Sequence, residues 1–235
     1  MKGQIQQEQL SADKTPKIKI CGITTIKEAD WLNEAGVDYA GFVFYEKSKR
    51  NVSMMDAIMI KKSLYPSVKT VAVTVSPTVE QLRAIEIAGF DMIQVHKDLS
   101  LDVLRECKLP IWRAFNIMNL GEAVGAADGR DESPEEKKER EALEEQWIEA
   151  YVLDGIEFGS GRTFDWSQSN TGQLRALFGG KKLVLAGGLT PENVGEGITL
   201  FDPDIVDVSS GVEREYGSGK DEEKIKQFVR KVREQ

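Results

Sequence analysis

Short apolar runs rich in valine and isoleucine alternate along this chain with longer stretches whose apolar residues return at helical spacing. Such alternation marks strand–helix units around a parallel sheet, whose strands are buried on both faces and read as near-continuous apolar runs. The pattern predicts eight strands, at Ile18–Gly22, Tyr39–Phe44, Thr70–Val75, Met92–His96, Ile111–Ile117, Tyr151–Asp154, Leu183–Gly187 and Ile205–Ser209. Helices are predicted at Ile26–Ala35, Met54–Leu64, Val79–Ala88, Leu101–Cys107, Pro134–Ala150, Thr171–Leu177, Pro191–Ile198 and Asp221–Val232. Ser100, Ser133 and Thr190-Pro191 supply helix-starting residues, and Gly36 and Gly89 follow helix ends where a left-handed residue is wanted. Eight units with short connections imply an α/β fold closed as a (β/α)8 TIM barrel in a single domain, spanning residues 17–235, in preference to an open doubly wound sheet.

Two segments stand outside this rhythm. Residues 1–16 are polar, lack the apolar core of a signal peptide, and read as a disordered N-terminal extension or an expression remnant. The connector at about 119–147 is enlarged and carries the charged run DGRDESPEEKKEREALEEQ, read as a solvated loop leading into a surface helix with internal charge pairs. Composition narrows the function. A net charge of −8 argues against a nucleic-acid partner, and no apolar run is long enough to span a bilayer. Cys21 and Cys107 form no disulfide framework, so a cytoplasmic location is expected. With a single histidine and no glycine-rich dinucleotide fingerprint, neither a metal nor a redox cofactor is called for.

In such a barrel the chemistry belongs at the C-terminal ends of the strands. Polar residues gather there: Cys21, Gln94, His96, Asp154, and the turns Gly187-Gly188 and Asp207-Val208-Ser209-Ser210-Gly211. The last two turns follow strands seven and eight, where this fold frequently holds phosphate. Their glycines and serines let backbone N–H groups approach an anion, and helix N-termini favour negative charge. Side-chain alternation turns Lys19 and Cys21 to one face of the first strand and Ile18 and Ile20 to the other. An inward thiol at Cys21 and an inward carboxyl at Asp154 suit a general base and a general acid, and Lys19 is expected to stabilise the thiolate. The bland alternatives are a buried apolar cysteine, a carboxylate bonded to nearby backbone, and a hydrogen-bonded interior histidine.

Blocks in order along nearly the whole chain resemble the phosphoribosylanthranilate isomerase family of tryptophan biosynthesis. They are KICGIT at Lys19–Thr24, GFVFYEKSKRNVS at Gly41–Ser53, IQVH at Ile93–His96, GSGRTFDW at Gly159–Trp166, AGGLTPENV at Ala186–Val194 and DVSSGVE at Asp207–Glu213. The resemblance implies Cys21 as general base, Asp154 as general acid, and Arg50 as partner of an anthranilate carboxylate. It also implies a phosphate site on Gly187, Gly188, Ser209, Ser210 and Gly211, with His96 among the substrate-binding residues and Asp207 holding the sugar or amino portion. The implied reaction is a cofactor-free Amadori rearrangement of a small phosphoribosyl substrate by a monomer or homodimer.

Three departures from the family pattern bear on the cavity mouth: Lys97-Asp98 where glycine is usual, VTVS on strand three, and the long connector. A different phosphosugar isomerase barrel would use two carboxylates, which Cys21 disfavours; a barrel that only binds would not need both Cys21 and Asp154.

Overall fold

The computed structural model describes residues 15–116, 132–155 and 178–235. Eight parallel strands close into a barrel in sequence order, β1 pairing with both β2 and β8. They are β1 (Lys17–Cys21), β2 (Tyr39–Phe44), β3 (Lys69–Thr74), β4 (Met92–Val95), β5 (Ile111–Asn116), β6 (Ile148–Asp154), β7 (Lys182–Leu185) and β8 (Ile205–Val208). The described helices are α1 (Ile26–Ala35), α2 (Met54–Lys61), α3 (Val79–Ile87), α4 (Leu101–Glu106), α5 (Pro134–Trp147), α6 (Val194–Phe201) and α7 (Glu222–Arg233). None is long and apolar enough to cross a membrane. The helix expected at Thr171–Leu177, the GSGRTFDW block and the first part of the charged connector lie outside the described residues.

Strand alternation sorts the residues into two cores. Ile18, Ile20 and Phe42 pack outward under the helices, while Cys21, Tyr39, Val71, Met92 and Trp112 fill the barrel. The Tyr39 and Trp112 rings meet edge to face at 5.0 Å. Among these apolar side chains the fully buried Lys19 also points inward, and its ammonium lies 2.6 Å from Asp207 on the neighbouring strand.

Several predicted boundaries move, each for a physical reason. Strands β4, β7 and β8 stop one or two residues short of the polar ends assigned to them, so His96, Gly187 and Ser209 stand on loops. β6 starts at Ile148, because Ile148 already pairs with Ile111 and closes α5 at Trp147. Helix α6 starts at Val194 and not at Pro191. There the Thr190 N–H donates to Asn193 Oδ1 at 2.7 Å and the Thr190 hydroxyl accepts from the Glu192 N–H at 3.2 Å, which holds Pro191–Asn193 as a separate turn. The Ser100 and Ser133 caps form as expected, and Gly36 and Gly89 adopt positive φ.

One buried carboxylate joins two loops at the C-terminal ends of β1 and β8. Glu28, near the start of α1, accepts from the Thr24 and Thr25 N–H groups at 2.7 and 3.0 Å through one oxygen, and from the Lys220 N–H at 2.7 Å through the other. It thereby ties the loop after Cys21 to the segment before α7. Glu28→Ala would orphan these donors, and we expect it to cost roughly 2–4 kcal/mol in urea unfolding; a loss under about 0.5 kcal/mol would contradict the clamp.

Candidate active site

A cavity of about 600 Å3 opens at the C-terminal ends of the strands. Cys21, at the end of β1, reaches it because Gly41 stands opposite: a Cβ there would sit 2.9 Å from the sulfur. Burial pushes the thiol above its ordinary range, while the positive charges of Lys19, Lys220 and Arg50 pull it back in part. Asp154 ends β6 and lines the same cavity. Burial raises its carboxyl to about 6, against the lowering effect of the Gly155 N–H that donates to Oδ1 at 2.8 Å; the negative charge of Asp207 adds to the rise. Gly187 lets the loop after β7 pass this carboxyl, since a Cβ at its φ of +77° would meet the Gly155 nitrogen at 2.0 Å.

His96 stands beside Asp154, its Nδ1 3.9 Å from Oδ2 and its Nε2 2.7 Å from the Gln94 amide nitrogen. Burial, with the charges of Lys19 and Arg113, drives the imidazole down to about 3, so it is neutral at physiological pH. Lys19, expected to serve the thiol, gives its shortest contact to Asp207. Burial alone would lower its pKa, but Asp207 and Cys21 reverse that and raise it. Asp207 keeps its other oxygen, Oδ1, buried and without a hydrogen-bond partner among the described residues, and the side chain lines the cavity.

The rim carries the groups suited to anions. Arg50 lines it from the β2–α2 loop, its chain pressed against Gly22, where a Cβ would fall 2.6 Å from Cδ. Gly187, Gly188, Ser209 and Ser210 also line the cavity, and the Ser209 hydroxyl donates to the Cys21 carbonyl at 2.9 Å. Gly211 does not line the cavity. Its missing side chain instead admits the Leu189 carbonyl, 1.9 Å from where its Cβ would be, and so lets the two turns touch. Neither turn opens straight into a long helix: α6 starts at Val194, and only the 3-10 turn Ser210–Val212 follows Ser209. Backbone and hydroxyl donors, more than a helix dipole, are therefore what this rim offers an anion.

The family profile of N-(5'phosphoribosyl)anthranilate (PRA) isomerase matches residues 18–231. This chain belongs to that family. The N-(5'-phosphoribosyl)anthranilate isomerase of Streptococcus mutans is 40% identical over 218 residues, covering 92% of this chain and 98% of its own. The crystal structure of the Thermotoga maritima enzyme, at 32% identity, superposes with a TM-score of 0.73 over 94% of this chain and 100% of its own. Another phosphoribosyl anthranilate isomerase structure, in complex with reduced 1-(o-carboxyphenylamino)-1-deoxyribulose 5-phosphate, gives a TM-score of 0.71 at 32% identity over 94% of this chain and all of that one.

Within this family member, two of the unusual sequence features prove to be one structural feature. Ser76 of VTVS, in the loop just beyond β3, has a φ of 50° and accepts from the Asp98 N–H at 3.1 Å, and the adjacent Val75 and Lys97 both line the cavity. Sequence reasoning misses two groups, the half-buried Glu213 and the fully buried Lys220. Glu213 ends the DVSSGVE segment, where nothing local marks its partners, and Lys220 lies in a polar stretch with no apolar periodicity to flag its burial.

Raising Asp154 to about 6 means the fold prefers the neutral carboxyl. That stabilisation is complete below the unfolded value near 3.8 and is lost as pH rises through about 6. Asp154→Asn should therefore be more stable than wild type at pH 8, by up to about 3 kcal/mol. The gain should shrink as pH falls from 7 to 5. A gain that does not depend on pH, or a loss at pH 8, would refute the raised carboxyl.

Proposed function

We propose that this enzyme converts N-(5-phosphoribosyl)anthranilate to 1-(2-carboxyphenylamino)-1-deoxyribulose 5-phosphate in tryptophan biosynthesis, with Asp154 as general acid and Cys21 as general base. Beyond family membership, the observation that carries this reading is the pairing of a thiol and a carboxyl in one cavity, both pushed by burial toward their neutral forms.

Asp154, protonated, donates to the furanose ring oxygen; the C1–O bond breaks and the nitrogen lone pair closes a C1=N iminium. The Cys21 thiolate then takes the C2 proton, and those C–H electrons form the C1=C2 enolamine. Tautomerisation adds a proton at C1 and releases the one on the C2 oxygen, leaving the ketone. No electrons leave the substrate, because its own nitrogen is the electron sink. At neutral pH the raised thiol holds its proton, while a carboxyl near 6 has mostly lost its own. The productive arrangement moves the thiol proton to Asp154. The iminium charge formed on ring opening favours the thiolate at the moment it is needed.

Arg50 meets the anthranilate carboxylate, the Gly187-Gly188 and Ser209-Ser210 turns meet the phosphate, and Asp207 and His96 line the wall between. Asp207 Oδ1, as an ionised acceptor, suits a ribose hydroxyl or the anthranilate N–H. Both described cysteines are free, which fits a reducing compartment such as the cytoplasm.

Loss of anthranilate-derived fluorescence on freshly generated phosphoribosylanthranilate should report turnover by wild type. Cys21→Ala and Asp154→Asn should each lower kcat/KM by at least about a hundredfold. A silent wild type would sink the substrate assignment; a Cys21→Ala enzyme within tenfold of wild type would sink the thiol base.

A further inference from the structure

Arg50 is held from behind. Its Nε donates to Glu213 Oε1 at 2.5 Å, and among the described residues neither of its terminal nitrogens is hydrogen-bonded. The guanidinium is nearly buried yet lines the cavity. An arginine has five N–H donors in a planar fork, and engaging Nε leaves the two-nitrogen edge for a planar anion.

Glu213 is itself fixed by more than this one contact. Lys49 donates to Oε2 at 2.7 Å, the buried Lys220 ammonium donates to Oε1 at 3.3 Å, and the Glu213 N–H donates to the Ser210 carbonyl at 3.0 Å. Lys220 Nζ also donates to the Ser209 carbonyl and hydroxyl, at 3.1 and 3.2 Å. Burial works against the Glu213 charge, but the bonds from Arg50 and Lys49 and the charge of Lys220 override it and hold the carboxyl at about 2. Glu213 therefore stays ionised throughout the working range. Three cations converge on it, so without its charge Arg50, Lys49 and Lys220 would repel one another and the guanidinium would lose its orientation.

We infer that Glu213 is a positioning residue for substrate recognition, clamping Arg50 through Nε so that the guanidinium edge is preset for the aryl carboxylate. The inference rests on the proposed substrate and extends it. Glu213 belongs to the turn that also carries Ser209 and Ser210, so the carboxylate grip and the phosphate turn are parts of one rigid piece. A ligand with a carboxylate at one end and a phosphate at the other is gauged against a fixed spacing, and Glu213 sets it at the carboxylate end.

The test compares wild type and Glu213→Gln on two substrates: phosphoribosylanthranilate, and the aniline analogue prepared from aniline and ribose 5-phosphate, which lacks only the carboxylate. Glu213→Gln should raise KM for the carboxylate substrate by about tenfold or more, with kcat changed less than about threefold. The variant-to-wild-type KM ratio should fall below about twofold for the aniline analogue. If Glu213→Gln does not fold, Glu213→Asp keeps the charge on a shorter chain and should give the same substrate-dependent split. An unchanged KM, a fall in kcat alone, or equal losses on both substrates would overturn the clamp. A wild type inactive on phosphoribosylanthranilate would instead overturn the proposed substrate, so the two failures are distinct.

Discussion

Lys19 and Asp207 face each other in register across the seam where β8 meets β1, and their 2.6 Å ion pair sits among the apolar side chains that fill the barrel. Two charges buried there carry a large desolvation cost, and a packed hydrophobic pair would often serve stability as well or better. What a hydrophobic pair would not supply is a fixed positive charge beside Cys21 and a cavity-lining carboxylate with one oxygen not hydrogen-bonded among the described residues. The pair joins closure of the barrel to the electrostatics of its mouth.

The same coupling recurs higher in the site. The chain carries a net charge of −8, yet Lys47, Lys49, Arg50 and Lys97 gather around one cavity. Glu213 offsets part of that concentration by pairing with Lys49 and Arg50, and with the buried Lys220 behind them. Asp154 runs the opposite way, kept where its charge is disfavoured and hence ready to hold a proton near neutral pH. Stability is given up locally at Asp154, while Glu28 ties together the loops that follow β1 and precede α7.

Much of this was legible in the sequence wherever the pattern was local. Alternation along KIKIC placed Cys21 inward and Ile18 and Ile20 outward, and strand–helix periodicity yielded the closed barrel. The errors arose where a local cue competed with tertiary pairing. Thr190-Pro191 resembles a helix start, but Asn193 captures the Thr190 N–H and delays the helix to Val194. Polar residues at strand ends were counted into strands although their side chains and turns belong to loops. The Arg50–Glu213 bond spans 163 positions and Lys19–Asp207 spans 188, separations at which no periodicity carries information. Gly211 was read as cradle for its type, whereas its role is the close approach of Leu189.

The most direct test of the site as a whole is a crystal structure of this enzyme with reduced 1-(o-carboxyphenylamino)-1-deoxyribulose 5-phosphate. The expected pose sets the phosphate on the Gly187-Gly188 and Ser209-Ser210 turns and the aryl carboxylate on the two-nitrogen edge of Arg50. The C2 carbon should then lie within about 4 Å of the Cys21 sulfur, with the Asp154 carboxyl on the far side of the sugar chain. A ligand bound the other way round, or one that leaves Cys21 and Asp154 out of reach of the sugar, would contradict the assignment of these two residues to the chemistry.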